Sequence, residues 1–280
     1  MLSYQNNLEN YFYKDLRWGN TFESVAVFKF LNGVAEFAKG GVILDAGCGH
    51  KRYAPFFKES IYIGQEHPIA GAKNKGITTF EILCDIKIIP LKDSSVDAIL
   101  STSSLEHIEY PTQFFAEAYR VLKPGGKIFI NVPFVYVEHE IPYDFWRPTR
   151  YGLISHFRNS GFVDYIVNPS SSSIFTAAHF FNQALRECIF FRQKNSFFRR
   201  VVYFIFRKLI EVITNKFDAP PESKTNLPIG WIAEATKPGA HHKKSHQSVE
   251  SFIKEKILDD ENFTIDELGR IVNSPKMKTT

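Results

Sequence analysis

One stretch decides the fold of this chain: residues 42–49, with the sequence VILDAGCG. Its apolar start predicts a short buried strand, and the glycines at 47 and 49 permit a tight turn and the close approach of a ligand to the backbone. A helix that follows such a turn offers free N–H groups to an anion. Asp45 places a carboxylate at the end of the strand, which suits a ligand with an ammonium group.

Strands and helices alternate on both sides of this stretch. The apolar spacing from Phe22 to Lys39 predicts a helix that Gly40-Gly41 ends. Further strands are predicted at 61–64, 80–84, 96–100, 127–132, 162–167 and 228–235, and further helices at 112–122 and 150–160. This alternation predicts an α/β fold, a doubly wound, mostly parallel, seven-stranded Rossmann-like sheet. A helical insertion, residues 170–217, precedes the last strand.

Two regions are expected along the chain. Residues 1–238 form one domain that includes the insertion, and residues 239–280 form a polar tail that is loosely attached. The tail has two candidate short helices, near Val249–Leu258 and Ile265–Val272.

The composition excludes several classes of protein. The net charge of +4 is too mild to indicate nucleic acid, and no nucleic-acid partner is expected. Three cysteines, Cys48, Cys84 and Cys188, lie far apart and outside any metal-binding spacing, so we expect neither a disulfide framework nor a metal site. The chain start lacks the apolar run of a signal peptide, and no segment approaches the roughly 20 apolar residues of a membrane span. A cytoplasmic location is therefore predicted.

Two more acids follow the next two strands. Glu66 ends the second strand, where a carboxylate can accept both hydroxyls of a ribose. Asp85 follows the third strand, where it can accept a bond from an adenine amino group. The third glycine of a dinucleotide fingerprint is absent, and Lys51 stands in that region. The pattern favours a ligand that carries an adenosine and an amino-acid tail over a ligand that carries a pyrophosphate.

Five segments together resemble the motifs of class I S-adenosylmethionine-dependent methyltransferases, in their small-molecule, UbiE-like type 11 subgroup. The segments are VILDAGCGH, YIGQE, CDI, PLKDSSVDAILSTSSLEHIEYP and VLKPGGKIFINVPF. The resemblance implies S-adenosyl-L-methionine as cofactor. It also implies roles for particular residues: the methionine end on the loop Asp45, Gly47, Cys48 and Gly49, the ribose on Glu66, the adenine on Asp85 and Ile86, and the methionyl pocket beside Ser101, just after the fourth strand.

The acceptor side is expected in residues 133–149, which are dense in His, acid, Tyr, Trp and Arg. This segment resembles the PYDFWRYT-type segment of methyltransferases linked to sugar and cell-envelope biosynthesis. His139 is the first candidate for a general base, with Asp144 and His107 as alternatives. Tyr143 and Trp146 are candidates to stack on the substrate or to cap the core. Arg147 is a candidate to hold an acidic group or to brace the loop.

The insertion combines aromatic and basic residues. Its stretch 174–217 contains ten phenylalanines and these basic residues: Arg186, Arg192, Lys194, Arg199, Arg200, Arg207, Lys208 and Lys216. Such a mixture on helices suits peripheral contact with a membrane surface. A helical hairpin that covers the substrate pocket or a dimer partner is the alternative, and the sequence leaves the oligomeric state undetermined.

These patterns predict an enzyme that methylates a small or lipid-linked acceptor, by O-methylation in glycan or cell-envelope biosynthesis. Two alternatives stay open. One is a non-catalytic S-adenosylmethionine-binding interaction module, and the other is an NAD-dependent oxidoreductase, which the missing third glycine disfavours.

Overall fold

The computed structural model describes residues 22–69, 76–190, 197–217, 227–239, 263–265 and 271–273. The strands are β1 (Val42–Ala46), β2 (Ile61–Glu66), β3 (Ile82–Leu83), β4 (Val96–Thr102), β5 (Leu122–Pro133), β6 (Val163–Pro169), β7 (Gly230–Thr236), β8 (Phe263–Ile265) and β9 (Ile271–Asn273). The α-helices are α1 (Phe22–Ala38), α2 (Pro111–Val121), α3 (Arg150–Asn159), α4 (Ser173–Phe190) and α5 (Phe197–Phe217). Short 3₁₀ helices span Ala54–Phe57 and Leu105–His107.

The strands form one sheet in the order β6-β7-β5-β4-β1-β2-β3-β9-β8. Strand β1 pairs in parallel with β2 and β4, and β4 pairs in parallel with β5. Strand β7 runs antiparallel to β5, since Gly125 N donates to Lys237 O and Phe134 N donates to Ile229 O. The first seven strands confirm the predicted mostly parallel, Rossmann-like sheet, and α4 and α5 confirm the helical insertion before its last long strand.

Apolar side chains hold the central strands in place. Every residue of β1 and β4 is buried, as expected for strands covered on both faces. On α1, Leu31, Val34 and Ala38 are fully buried at helical spacing, and the ring of Phe37 lies 5.5 Å from that of Phe129. Helix α1 ends before Gly40, whose φ of +68° is the left-handed conformation that glycine adopts easily.

The carboxyl ends of β1 and β4 lie side by side in the sheet. From β1 the chain crosses to β2 on one side, while β4 lies on the other side, which makes this point the topological switch of the sheet. In open α/β sheets a ligand binds outside the carboxyl ends of the strands at this point. The segments that follow β1, β2, β3 and β4 therefore frame the candidate site.

The tail contributes two short strands that the sequence did not predict. Strands β8 and β9 pair antiparallel, and β9 pairs in parallel with β3 through Ile82–Ile271 and Leu83–Val272. Residues 265, 271 and 272 are therefore in strands and not in the expected helix near Ile265–Val272, whose remaining residues lie outside the described part of the chain. The backbone groups at the β3 edge supply the pairing, which sequence periodicity does not reveal. The other expected helix, near Val249–Leu258, lies outside the described residues.

The chain divides into two compact units. The larger unit contains β1 to β5 and the segments at the carboxyl ends of β1 to β4. The smaller unit contains α4 and α5, which pack against each other. Across the described residues, none of the helices combines the length and apolar character that crossing a membrane requires.

Candidate functional site

The loop after β1 is fixed by its own backbone and by β2. Gly47 N donates to Gln65 O (3.0 Å) and to Gln65 Oε1 (3.1 Å), and Cys48 N donates to Gln65 O (2.9 Å). Gln65 Nε2 in turn donates to Cys84 O after β3 (2.6 Å). Gln65 thus ties the ends of three strands together, a role that the sequence did not suggest.

Gly47 sits against the segment that follows β4. Its φ is +79°, and a Cβ built on it would lie 2.3 Å from Ser104 Oγ. The Ser104 hydroxyl donates to Gly47 O at 3.1 Å. Both the backbone conformation and the close approach therefore require glycine at this position. Gly49, with φ +52°, differs because an added Cβ there would meet open space.

Glu66 directs its carboxylate at the glycine loop. Its Oε2 accepts from Gly49 N and its Oε1 from His67 N, both at 2.8 Å. A carboxylate has about four acceptor positions, so these two bonds leave capacity for a diol. Gln65 and Glu66 are neighbours in β2, and both side chains reach the loop, but Glu66 is the one that brings a carboxylate to it.

Lys51 lies in the region where a dinucleotide fingerprint has its third glycine, and it adopts a φ of +54°. This left-handed conformation costs a non-glycine residue on the order of 1–2 kcal/mol. The Lys51 ammonium pairs with Glu81, whose other oxygen accepts from Gly64 N at 2.7 Å. Lys51 thus forms an ion pair from a left-handed backbone conformation that glycine would adopt without this cost.

Asp45 is fully buried at the end of β1, and its Oδ2 accepts a hydrogen bond from the Tyr62 hydroxyl. Its Oδ1 has no hydrogen-bond partner. Burial raises the pKa of the Asp45 carboxyl to about 7, although the Tyr62 hydrogen bond opposes the shift. Burial likewise raises the pKa of the Cys48 thiol, which keeps that thiol neutral.

The remaining cofactor candidates follow β3 and lie in β4. Asp85 comes two residues after β3, and its Oδ2 lies 3.1 Å from Lys87 Nζ. Ile86 beside it is buried. Ser101 lies within β4 and not after it, because the strand extends to Thr102. The Ser101 hydroxyl is buried and has no hydrogen-bond partner.

In the segment expected to bind the acceptor, an ion pair organises residues 137–147, which are named the acceptor loop after that expectation. Arg147 donates to both carboxylate oxygens of Asp144, at 2.5 and 2.7 Å, and also to Val137 O and Trp146 O. The Arg147 guanidinium holds the pKa of Asp144 at about 2. Asp144 is therefore ionised, which makes it a weak proton acceptor near neutral pH. Of the two expected roles of Arg147, this geometry favours bracing the loop.

His139 rests on this ion pair. Its backbone N–H donates to Asp144 Oδ2 (2.9 Å), and its Nδ1 lies 3.2 Å from Val137 O and 3.4 Å from both Asp144 Oδ2 and Arg147 Nη2. The two oxygens favour a proton on Nδ1. The other ring nitrogen, Nε2, then carries the lone pair and lies 3.8 Å from Glu106 Oε1.

Three hydrogen bonds join the acceptor loop to the Leu105–His107 helix. Trp146 Nε1 donates to Leu105 O (2.7 Å), Phe145 N donates to Glu106 O (2.9 Å), and His107 Nδ1 donates to Tyr143 O (2.5 Å). Trp146 is thus anchored through its indole, which favours its expected role in capping the core. His107 and His139 face each other with ring centroids 4.9 Å apart.

Glu106 is the residue that the sequence missed. Its side chain is 1% exposed, and neither carboxylate oxygen accepts a hydrogen bond. Burial raises the pKa of Glu106 to about 7. The only sequence signal for Glu106 is its position before His107, and a Glu-His dipeptide does not by itself indicate burial. Glu106, His107 and His139 bring one ligand atom each to within 4.8 Å of one another, although no metal site was expected from the sequence.

Part of this chain is similar to known methyltransferases. Residues 44–130 match the family described as Methyltransferase domain. A tRNA (carboxymethyluridine(34)-5-O)-methyltransferase of Arabidopsis thaliana is 32% identical over 99 residues, which cover 33% of this chain and 24% of that protein. An uncharacterized methyltransferase of Mycobacterium bovis is 33% identical over 99 residues, which cover 33% of this chain and 39% of that protein.

A solved structure is also similar: an S-adenosylmethionine-dependent methyltransferase of Thermotoga maritima, described as a possible histamine N-methyltransferase. The TM-score is 0.48 at 17% identity, over 84% of this chain and 97% of that one. The chain spans well under two thirds of the length of the curated relatives it matches. Since one of these relatives is named for tRNA, the expectation of no nucleic-acid partner gains no support.

Proposed function

We propose that this protein is an S-adenosylmethionine-dependent methyltransferase of class I that methylates an oxygen of a small or lipid-linked acceptor in glycan or cell-envelope biosynthesis. The match of residues 44–130 to the family described as Methyltransferase domain supports the methyltransferase activity. The observation that carries the proposal is the position of two carboxylates, Asp45 and Glu66, at adjacent strand ends around a glycine loop. S-adenosylmethionine supplies the methyl group when it is bound. The protein's own residues bind it, orient the acceptor and handle the acceptor's proton.

The residues present fit this cofactor. Asp45 Oδ1 is buried without a hydrogen-bond partner, which suits an ammonium donor. Glu66 retains acceptor capacity for a diol, and the open space at the Gly49 Cβ position leaves room for a ligand against the backbone. Asp85 and Ile86 together offer an acceptor and an apolar surface for an adenine. Ser101 offers a buried hydroxyl near the methionyl end.

Methyl transfer from a sulfonium is an in-line displacement, so the protein mainly positions the acceptor. We assign activation of the acceptor hydroxyl to His139, whose Nε2 is directed away from the ion pair that holds Nδ1. Asp144 and Arg147 orient the His139 ring, and His107 supports it from the opposite side. Tyr143 and Trp146 shape the acceptor loop.

Calorimetry with S-adenosylhomocysteine tests the proposed function. We expect one equivalent to bind and NAD not to bind. The affinity for S-adenosylhomocysteine should rise about tenfold from pH 6 to pH 8, because Asp45 must be ionised to accept from the ammonium and its pKa is about 7. Below that pH the carboxyl is protonated, and binding must then release its proton.

Asp45→Asn is the control for this experiment. It should bind S-adenosylhomocysteine more weakly and lose the pH dependence of the affinity. Binding of NAD in preference would indicate an oxidoreductase. Cofactor binding without transfer of labelled methyl to any lipid or glycan fraction of a cell extract would instead indicate a non-catalytic module.

We also propose that the protein, located in the cytoplasm, contacts a membrane surface through residues 174–217. The support is one face of α5 on which exposed apolar residues recur at helical spacing: Val201, Phe204, Ile205, Leu209, Val212, Ile213 and Phe217. Lys208 and Lys216 lie among them and can interact with anionic headgroups.

Flotation with vesicles that contain anionic phosphatidylglycerol tests this contact. We expect the protein to float with these vesicles and less with neutral phosphatidylcholine vesicles. The double variant Phe204→Ser/Ile205→Ser should lose flotation, because two side chains that are 58% and 59% exposed no longer insert. The control is Ile88→Ser, which alters an exposed apolar residue outside the insertion. A parent protein that stays at the bottom of the gradient rules out the proposed contact.

A further inference from the structure

Three side chains converge beside the acceptor loop in a way that methyl transfer by itself does not require. Glu106 Oε1 lies 3.8 Å from His107 Nε2 and 3.8 Å from His139 Nε2. Glu140 Oε2 adds a further oxygen 3.4 Å from His107 Nε2. All of these groups belong to the same compact unit. Two imidazoles and a buried carboxylate thus face a common point.

The Nδ1 atom of each imidazole faces oxygen acceptors, as the non-coordinating nitrogen of a metal-bound histidine does. His107 Nδ1 faces the carbonyl of Tyr143, and because a carbonyl only accepts, this nitrogen carries the proton. His139 Nδ1 faces the oxygens of Val137 and Asp144. A metal-bound histidine usually donates its second ring N–H to just such a carbonyl or carboxylate. In this tautomer both Nε2 lone pairs face Glu106.

Glu106 gives an independent reason to expect a cation. Its carboxylate is 1% exposed and aimed at the two Nε2 atoms, and neither oxygen accepts a hydrogen bond. A buried charge without compensation is costly, so such groups are normally paired or bound to metal. The Arg147 guanidinium interacts with Glu106 through its charge, but its Nη1 and Nη2 donate to Asp144 and it gives Glu106 no hydrogen bond.

We propose that Glu106, His107 and His139 bind a divalent transition-metal cation of the Zn²⁺ type. Imidazole ligands suit such cations, whereas Mg²⁺ and Ca²⁺ prefer sites made of oxygen ligands alone. Ligand atoms about 2.0–2.1 Å from Zn²⁺ stand roughly 3.4 Å apart in a tetrahedral site. The two Glu106–histidine separations are 3.8 Å and all three ligand atoms lie within 4.8 Å of one another, so each side chain must move by about half an ångström.

Metal binding itself does not depend on the proposed function, whereas the effect of the cation on the acceptor hydroxyl rests on it. Three protein ligands leave a coordination position open, as catalytic metal sites do. A cation there lowers the pKa of an acceptor hydroxyl at that position, as it does for bound water. The hydroxyl proton then leaves to solvent, the oxygen–methyl bond forms and the sulfur–methyl bond breaks. His139 would activate the acceptor as a ligand and not as a free base.

The test measures metal binding without cofactor or acceptor, so it can fail independently of the proposed function. The tail offers a rival set of ligands in His241, His242 and His246. The full-length chain with these three histidines replaced by glutamine is therefore the parent protein. It is treated with a chelator, dialysed and titrated with Zn²⁺ by calorimetry. Thermal unfolding and near-ultraviolet circular dichroism verify that each variant is folded.

We expect the parent to bind one equivalent of Zn²⁺. Glu106→Gln and, separately, His139→Gln should weaken this binding by about 100-fold or more, since loss of an orienting partner alone costs about 10–100-fold. His139 is 28% exposed, so its variant should fold even where Glu106→Gln does not. His156→Gln, which alters a histidine outside the cluster, should bind like the parent. A parent that does not bind Zn²⁺, or a folded His139→Gln variant that binds it equally well, overturns the proposal.

Discussion

Replacing Gly47 with alanine is expected to weaken S-adenosylhomocysteine binding by about 100-fold. The substitution forces a side chain into a left-handed backbone with φ +79°, which costs about 1–2 kcal/mol. It also places a Cβ 2.3 Å from Ser104 Oγ, so Ser104 must move and its bond to Gly47 O is lost, at about 1 kcal/mol. The loop of the free variant relaxes to avoid both costs and cofactor binding must restore them, and together they approach the roughly 2.7 kcal/mol that a 100-fold change represents.

A double variant separates the two causes. The atoms that the new Cβ would meet most closely belong to the Ser104 side chain. In Gly47→Ala/Ser104→Gly the collision is absent and the backbone cost remains, so affinity should recover to within about tenfold of that of Ser104→Gly alone. Calorimetry on all four proteins measures this recovery. If the double variant binds no better than Gly47→Ala, contact with Ser104 is not the reason for glycine at this position.

Replacing His139 with alanine should reduce the rate of methyl transfer by about 100- to 10,000-fold, the range for loss of a group that handles a proton in the transition state. The affinity for S-adenosylhomocysteine should stay within about twofold, because the bonds of His139 to Val137 and Asp144 and its approach to Glu106 lie outside the loop after β1. The rate is measured as labelled methyl transferred to lipid and glycan fractions of a cell extract.

The ratio of the two effects carries the meaning of this experiment. An equal loss of rate and cofactor affinity would indicate a structural role for His139, and an unchanged rate would remove it from the reaction. The thermal unfolding midpoint controls for stability, since Asp144 and Arg147 lose a neighbour in the variant. A rate that falls while the midpoint and the affinity hold supports action on the acceptor.

The sheet and the cofactor loop are predictable because their signals are local. The apolar run before Asp45, the glycines after it and the acids at the following strand ends occur in sequence order. Parallel pairing then brings the strand ends to one edge without further information. Helices α1 and α2 follow from their spacing, and Gly40 and Pro111 mark their ends.

The rest depends on distant contacts that leave no periodic trace. Glu106 precedes a histidine in an ordinary turn, and only its burial against His139, 33 positions later, gives it significance. The sequence left Arg147 either to hold an acidic group or to brace the loop, and only its bonds to Asp144 favour the second role. Strands β8 and β9 are three residues each, too short for alternation to be recognised, and they form because β3 offers an edge.

The hydrogen bonds between the two sides of the site have a thermodynamic consequence. Ser104 contacts the glycine loop, and the three residues that follow it are bonded to the acceptor loop through Trp146, Phe145 and Tyr143. A ligand that orders one loop therefore reduces the entropy that a second ligand must lose at the other. Such cooperativity is reciprocal: the factor by which the cofactor raises the affinity for the acceptor equals the factor by which the acceptor raises the affinity for the cofactor. Dissociation of either product therefore lowers the affinity of the protein for the other product.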